Sequence, residues 1–362
     1  VQKKWSGLII MLTISLTLLL TGCFQGEQSM EEMDPPQDAE GVDSLEEVTT
    51  SEEELEAEEG ADESSENEDT QTVTRELFLL DANGMVAPQT LELPQIESKE
   101  VAKQSLEYLV KGGPVTSLLP NGFEAVLPEG TEILGLNLQE DGTMVVDVSN
   151  EFENYQAEDE AKILQSMTYT LTQFESVDEV ELQINGHKLQ EMPVNGTPIN
   201  DGYSRANGIN VMGTDALDVD AQAVTMYYPA EFNENQYFVP VTQHIEVEDN
   251  DIYSSIVNKL MEGPGYNFNT THVFSPGATL LNSPNLDQGV LELVFSQEIL
   301  HNREKGQIAD EVMETLVRTL TEQQAVEAVQ VKVEDVEEIF NENGEAYGEQ
   351  VTLNDFEPAE KF

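Results

Sequence analysis

The sequence predicts an α+β protein: two tandem, small α/β sandwich domains, each with two helices packed on one small sheet, behind a disordered acidic tether. Three observations predict it. Residues from Arg75 onward match one another at an offset of about 150 positions, so a whole domain is duplicated. Within each half, alternating apolar runs and segments of three-and-four spacing follow in the same order. Ahead of both halves lies a stretch too acidic and too poor in apolar residues to fold.

The N-terminus reads as a lipoprotein signal peptide, residues 1–22. Lys3 and Lys4 form a short basic region, and Leu8 to Leu20 is a mostly Leu/Ile run. That run suits a signal-peptide core and is short for a membrane span. Leu20-Thr21-Gly22-Cys23 follows, small residues ahead of a cysteine, which resembles a bacterial lipobox. The expectation is cleavage before Cys23, lipid on its thiol (palmitate among the acyl groups), and an extracytoplasmic location at the cell membrane. Cys23 is the only cysteine, so no internal disulfide is available and the fold must hold by packing.

Residues 23–74 comprise that cysteine and the tether. Between Glu27 and Asp69 there are 20 acidic residues and no Lys or Arg. Apolar residues occur there singly, so burial cannot offset chain entropy. About 50 residues span roughly 40 Å as a random coil and at most about 165 Å stretched. The expected role is reach. The whole chain has 72 acidic and 15 basic residues, a net charge of −57. Removing Lys3 and Lys4 with the signal makes this 72 against 13, or −59. Such a charge argues against nucleic acid or anionic lipid as a partner through bulk electrostatics, and suits a saline or alkaline exterior.

The first domain is expected over residues 75–192 and the second over 223–355. Arg75 to Leu80 and Ala223 to Tyr228 read as opening strands, each leading to a polar turn: Asp81 to Gly84, and Glu231 to Glu234. Ala102, Leu106, Leu109 and Val110 then share one helix face, as do Ile252, Ile256, Val257 and Leu260. Gly113-Pro114 and Gly263-Pro264 are expected to stop these helices. Next come Leu127-Pro-Glu-Gly-Thr131 and Ser275-Pro-Gly-Ala-Thr279, each before an apolar run. Strands ending Asp147-Val-Ser149-Asn-Glu151 and Val294-Phe-Ser296-Gln-Glu298 follow. A second helix ends at Leu171-Thr172 and again at Leu320-Thr321. Alternating strands then begin at Val180 and Val329. The connection, residues 193–222, is dense in turn formers. Val351 to Phe356 is a candidate edge strand after a turn at Asn343-Gly344.

With these residues aligned, the chain resembles the GerMN-domain family, sporulation and germination lipoproteins of endospore-forming bacteria. The lipobox, acidic tether, tandem repeat, Gly-Pro, Pro-x-Gly-Thr loop, Val-Asp-Val-Ser-Asn-Glu strand end and Leu171-to-Val177 helix ending carry the resemblance together. The second half departs from it at Val294, Phe295 and Gln323, which stand where the first has Asp147, Val148 and Phe174. The resemblance implies domains like ring-building motifs. It implies a non-enzymatic assembly role at the channel complex between mother cell and forespore, in the intermembrane space. The implied partners are the membrane, through lipid on Cys23, and other sporulation channel or envelope proteins. The competing reading is an envelope lipoprotein that binds or remodels peptidoglycan.

No catalytic residue, metal site or cofactor is expected. The four histidines, His187, His244, His272 and His301, form no H-E-x-x-H pattern, and no nucleophile elbow or phosphate loop occurs. Asp215, Asp218 and Asp220, and Glu246, Glu248, Asp249 and Asp251, are acidic clusters without the Gly or closing Glu of a calcium loop. Asp249 or Asn250 is expected to cap the helix that follows. Ser149 and Ser296 are expected to cap turns. The expected partner surfaces are the polar faces of helices 98–111 and 158–174 and their second-domain equivalents.

Overall fold

The computed structural model describes residues 71–96, 100–200, 202–211, 221–247, 251–265 and 269–356. The signal segment, Cys23 and the tether lie outside these residues, as do Asp215, Asp218, Asp220, Glu248 and Asp249.

Each half begins with an antiparallel hairpin. In the first, β1 (Thr72–Leu80) pairs with β2 (Val86–Pro94). In the second, β8 (Ala221–Phe232) pairs with β9 (Asn235–Glu246). The second hairpin turns on Asn233 and Glu234, both at positive φ, the backbone sign that a two-residue turn between twisted strands requires. The first turn is held by Asp81, whose Oδ1 accepts from the amides of Asn83 (2.9 Å) and Met85 (2.8 Å).

After its hairpin, each half builds the same second layer. The first half has α1 (Val101–Glu107), β3 (Ile133–Leu138), β4 (Thr143–Val148), α2 (Glu160–Leu171) and β5 (Glu179–Ile184). Two short strands, β6 (His187–Lys188) and β7 (Tyr203–Ser204), add to β5. The second half has α3 (Ile252–Glu262), β10 (Asn285–Asp287), β11 (Val290–Phe295), α4 (Asp310–Thr321) and β12 (Ala328–Val333). β4 runs antiparallel to β3 and parallel to β5; β11 runs antiparallel to β10 and parallel to β12. Parallel neighbours need a crossover, and α2 and α4 supply it. The expected α/β architecture is present in both halves, with each hairpin forming a small sheet of its own.

The helices α2 and α4 explain that separation. α2 touches β1 and β2 as well as β5 and β7. Ten of its twelve residues are buried, including Ser166, Thr168 and Thr170. Thr170 Oγ1 accepts from the Phe78 amide (3.1 Å), and Ser166 Oγ donates to the Phe78 carbonyl (2.5 Å). At the equivalent place, Thr319 Oγ1 accepts from the Tyr227 amide (3.0 Å). The helix hydroxyls thus satisfy backbone groups of the opening strand that would otherwise be buried without a partner. On α4, Val312, Met313, Leu316, Val317 and Leu320 are buried; truncating one such Leu to Ala typically costs about 2–5 kcal/mol.

Four local expectations are corrected. The first helix does not run to Gly113: α1 stops at Glu107, because the carbonyl of the buried Leu109 accepts from the amides of Val126 and Leu127, and Val110 bridges Leu127. In the second half, Gly263 does end α3, at φ +85. The α3 cap is Asp251, not Asp249 or Asn250; its side chain accepts from Ser254 N at 3.0 Å. Val351 makes a single bridge to Val329, and Leu353–Phe356 is a 3-10 turn rather than a strand. Finally, α2 presents no broad polar face, since Ala161 is its one exposed residue, whereas α4 keeps a half-buried polar side of Asp310, Glu311, Glu314, Arg318 and Thr321.

Candidate functional site at the module junction

The two halves meet through their hairpins, β2 against β9. The connection is part of that contact. Asn210, at φ +47, takes its place between the strands. Its Oδ1 accepts from Val86 N (2.9 Å), and its Nδ2 donates to the carbonyls of Val86 and Pro240 (both 2.7 Å). One side chain therefore bonds both hairpins. Beside it, Ile209 exchanges two bonds with Thr242: Ile209 N donates to Thr242 Oγ1 (2.8 Å), and Thr242 N donates to Ile209 O (2.9 Å).

At one end of the contact, Tyr237 donates its hydroxyl to Asp81 Oδ2 (2.8 Å) and meets the Phe123 ring edge to face at 4.8 Å. Burial, and then Asp81, raise the Tyr237 phenol above its ordinary pKa, so it stays protonated and donating. Gly122 packs against Phe232 here: a Cβ would fall 2.2 Å from the ring, and its φ is +84. Only glycine fits both conditions.

At the other end lies a charged cluster. Arg205, in the 3-10 turn after β7, donates Nη1 to Glu322 Oε1 (2.6 Å) and Nε to Thr172 Oγ1 (2.8 Å). Its guanidinium carbon sits 4.5 Å from the centroid of the Tyr169 ring. Tyr227 donates to the other Glu322 oxygen (3.2 Å). Arg318 on α4 pairs with Glu314 (2.7 Å) and lies 5.0 Å over the Phe238 ring. Arg205, Tyr227, Arg318, Glu322 and Glu76 border a cleft of about 320 Å³. Burial raises the Glu76 carboxyl above the usual carboxylate range, and Arg318 and Arg205 offset part of that.

The sequence-derived candidates fall elsewhere. His187 on β6, His244 on β9, and His272 and His301 in connecting segments are all exposed. Among the described residues, no three His, Cys, Asp or Glu side chains cluster to hold a metal. Ser149 Oγ accepts from Glu132 N (3.1 Å), and Ser296 Oγ accepts from Thr279 N (3.2 Å), the same loop-holding bond in both halves. Asp147 accepts from Gly186 N (2.8 Å) across the β5–β6 turn. Glu246 is exposed, and Asp251 is engaged as a cap.

Sequence reasoning missed the junction residues Asp81, Arg205, Asn210, Tyr237 and Glu322. Two signals were present. Arg205 is one of only four arginines in a strongly acidic chain, and Asn210 lies within the turn-rich connection 193–222, just after Asn207-Gly208.

Comparison with known proteins agrees with this double architecture. The model of the family described as "Germane: Sporulation and spore germination" matches residues 76–190 and 225–338. The chain is 44% identical to "Spore germination protein GerM" of Bacillus subtilis (strain 168) over 358 residues, 97% of each protein. It is also similar to the solved "Tandem GerMN domains of the sporulation protein GerM from Bacillus subtilis". That structure is 46% identical with a TM-score of 0.71, over 78% of this chain and 98% of the other. The names these relatives carry are those of sporulation and germination proteins, not of an enzyme. With both halves matched in order, this chain belongs to the Germane family of sporulation and spore germination proteins and carries the domain twice.

Proposed function

We propose that this protein is a lipoprotein, anchored through Cys23 at the extracytoplasmic face of the membrane, that serves as a non-enzymatic assembly factor in sporulation and germination. Its site of action is the channel complex between mother cell and forespore, and its partners are other proteins of that complex. The observation that carries the reading is the junction. Asn210 binds both hairpins, and Arg205–Glu322 and Asp81–Tyr237 close the two ends of the contact. Two modules fixed in one orientation give a rigid block whose outer surfaces hold a set spacing, which is what an assembly factor needs to position neighbours. Membership of a sporulation and germination family supports the same setting.

Deleting the gene in the host tests this. The expected result is a block in sporulation or germination with normal vegetative growth, restored by the intact chain. A vegetative wall defect would instead assign the protein to general envelope maintenance. A junction variant that folds but uncouples the two modules should fail to restore sporulation.

A further inference from the structure

Residues 133–138 carry no charge and include leucines at alternate positions, Leu134, Leu136 and Leu138. They form β3, an edge strand of the first module's larger sheet, with only β4 beside it. At the end of that pair, Gln139 N donates to Thr143 O (2.9 Å). Antiparallel alternation then turns the backbone of Gly135 and Asn137 toward β4, opposite Asp147 and Val145, and that of Leu136 and Leu138 away from it. No described residue bonds the outward N–H or C=O of Leu136 or Leu138. Leu134 and Leu138 are also exposed, at 46% and 43%.

Edge strands are ordinarily blunted by proline, charge or brevity. The second module uses all three. Its edge strand β10 has three residues and ends in Asp287. Leu286 opposes Leu291 on β11 as Leu138 opposes Met144 on β4, and Leu291 and Met144 each lie five residues before the serine that ends the strand. Pro284, two residues before Leu286, therefore stands where the first module has Leu136, and it has no N–H to offer. β3 has six residues, no proline and no charge. The duplicated fold closes one copy of this edge and leaves the other able to take a further strand.

The charges around β3 indicate what that strand carries. Glu132 and Glu140 flank it, both exposed and neither paired with a cation among the described residues. A second copy of the chain is a poor occupant. When two β3 strands pair about a two-fold axis with full overlap, Leu136 opposite its own copy, Glu132 of each comes against Glu140 of the other, and opposed like charges destabilise a strand pair. The net charge of −57 on each chain adds to that repulsion. We propose that the open edge of β3 is a docking site for an extended segment of a partner protein, with apolar residues at alternate positions and Lys or Arg at both ends. Leu136 and Leu138 bond its backbone, the exposed leucines take its apolar residues, and Glu132 and Glu140 take its cations. The site gives a surface to the assembly role proposed above and rests on that reading for its setting. Peptide binding tests the edge, and the deletion phenotype tests the role.

The probe is the peptide Lys-Thr-Val-Thr-Val-Thr-Val-Thr-Lys, which spans residues 132–140 with a valine opposite each leucine. One control, Lys-Thr-Thr-Val-Val-Val-Thr-Thr-Lys, has the same composition without the alternation. The other is the alternating peptide with Glu at both ends. Equilibrium binding is measured on the full chain in mild detergent at about 0.15 M salt, where attraction to the overall charge is screened beyond about 8 Å. The alternating Lys peptide should saturate with a Kd below about 1 mM, and both controls should bind about tenfold more weakly or worse. Leu138→Pro removes an outward N–H that β4 does not use, so it should weaken binding by about tenfold or more while its circular dichroism matches the parent. If that variant fails to fold, Leu138→Lys, which puts a charge on the edge and keeps the backbone, should weaken binding to the same extent. Equal affinity for the alternating and the regrouped peptide overturns the proposal. So does binding unchanged in the folded variant, or no saturation up to about 10 mM. A dimer of the full chain in sedimentation, dispersed by Leu138→Pro, gives the edge to a second copy and overturns the proposed partner.

Discussion

The hydroxyl of Tyr237, on β9 of the second module, donates to the carboxylate of Asp81 at the turn of the first, across 2.8 Å. Asp81 is therefore both the organiser of its own turn and the acceptor for the neighbouring module. Tyr237→Phe removes the donor while keeping the ring on Phe123. The expected loss is about 1–2 kcal/mol in denaturant-induced unfolding, because Asn83 Nδ2 still reaches the same Asp81 oxygen at 3.3 Å. A loss above about 4 kcal/mol would show that the ring had moved as well.

Asn210→Ala should cost more, about 2–4 kcal/mol. It removes three side-chain bonds, leaves the Val86 amide unpaired, and puts a residue with no local hydrogen bond at φ +47. Because the side chain bonds both hairpins, the variant should also broaden unfolding or split it into two transitions. Calorimetry reads this directly, and one sharp transition at the parent width would refute the coupling role.

Glu160 is fully buried at the start of α2. Its carboxylate accepts from Tyr155 OH (2.8 Å) and from the amides of Val194 (3.2 Å), Asn195 (2.6 Å) and Thr197 (2.9 Å). Burial pushes its pKa up, but these bonds outweigh burial and leave the pKa below the ordinary value. A lowered folded-state pKa stabilises the fold above the unfolded value of 4.5, and that contribution disappears as pH falls through the folded pKa. Glu160→Gln should therefore destabilise the protein by about 2–4 kcal/mol at neutral pH, since an amide N–H would face backbone donors. It should also flatten the acid limb of stability against pH. An acid limb identical to the parent would show that other carboxylates set it.

Cys23→Ser is expected to release the protein from the membrane fraction or leave its leader uncut. Fractionation with metabolic labelling by a fatty acid measures both. A variant that stays membrane-bound and still takes up the label would remove the anchor from the functional proposal.

Shortening the segment between Glu27 and Asp69 to a few residues should impair sporulation while the thermal transition of the folded modules stays unchanged. Full function in the shortened chain would show that reach is not what this segment supplies.

The sequence by itself determined the order of elements and their duplication. Period-two alternation and three-and-four spacing are local properties, and they fix which segments become β4, α2 and β5, and again β11, α4 and β12. Ser149 and Ser296 stand at the starts of 3-10 turns, as the sequence predicts, but their side chains do not cap them: each accepts from an amide 17 residues earlier, that of Glu132 and of Thr279, a bond that only the packed structure supplies. The stop at Glu107 was not legible, because it depends on Leu127 arriving from further along the chain to pair with Leu109 and Val110. The near-complete burial of α2 was hidden likewise: its buried Ser and Thr read as a polar face until the hairpin backbone they bond is in place. The junction was the least readable part. Asn210 meets Val86 and Pro240, and Arg205 meets Glu322, across separations of 30 to 124 residues. Contacts at that range leave no periodicity in the chain, and only the packing of one module against the other selects them.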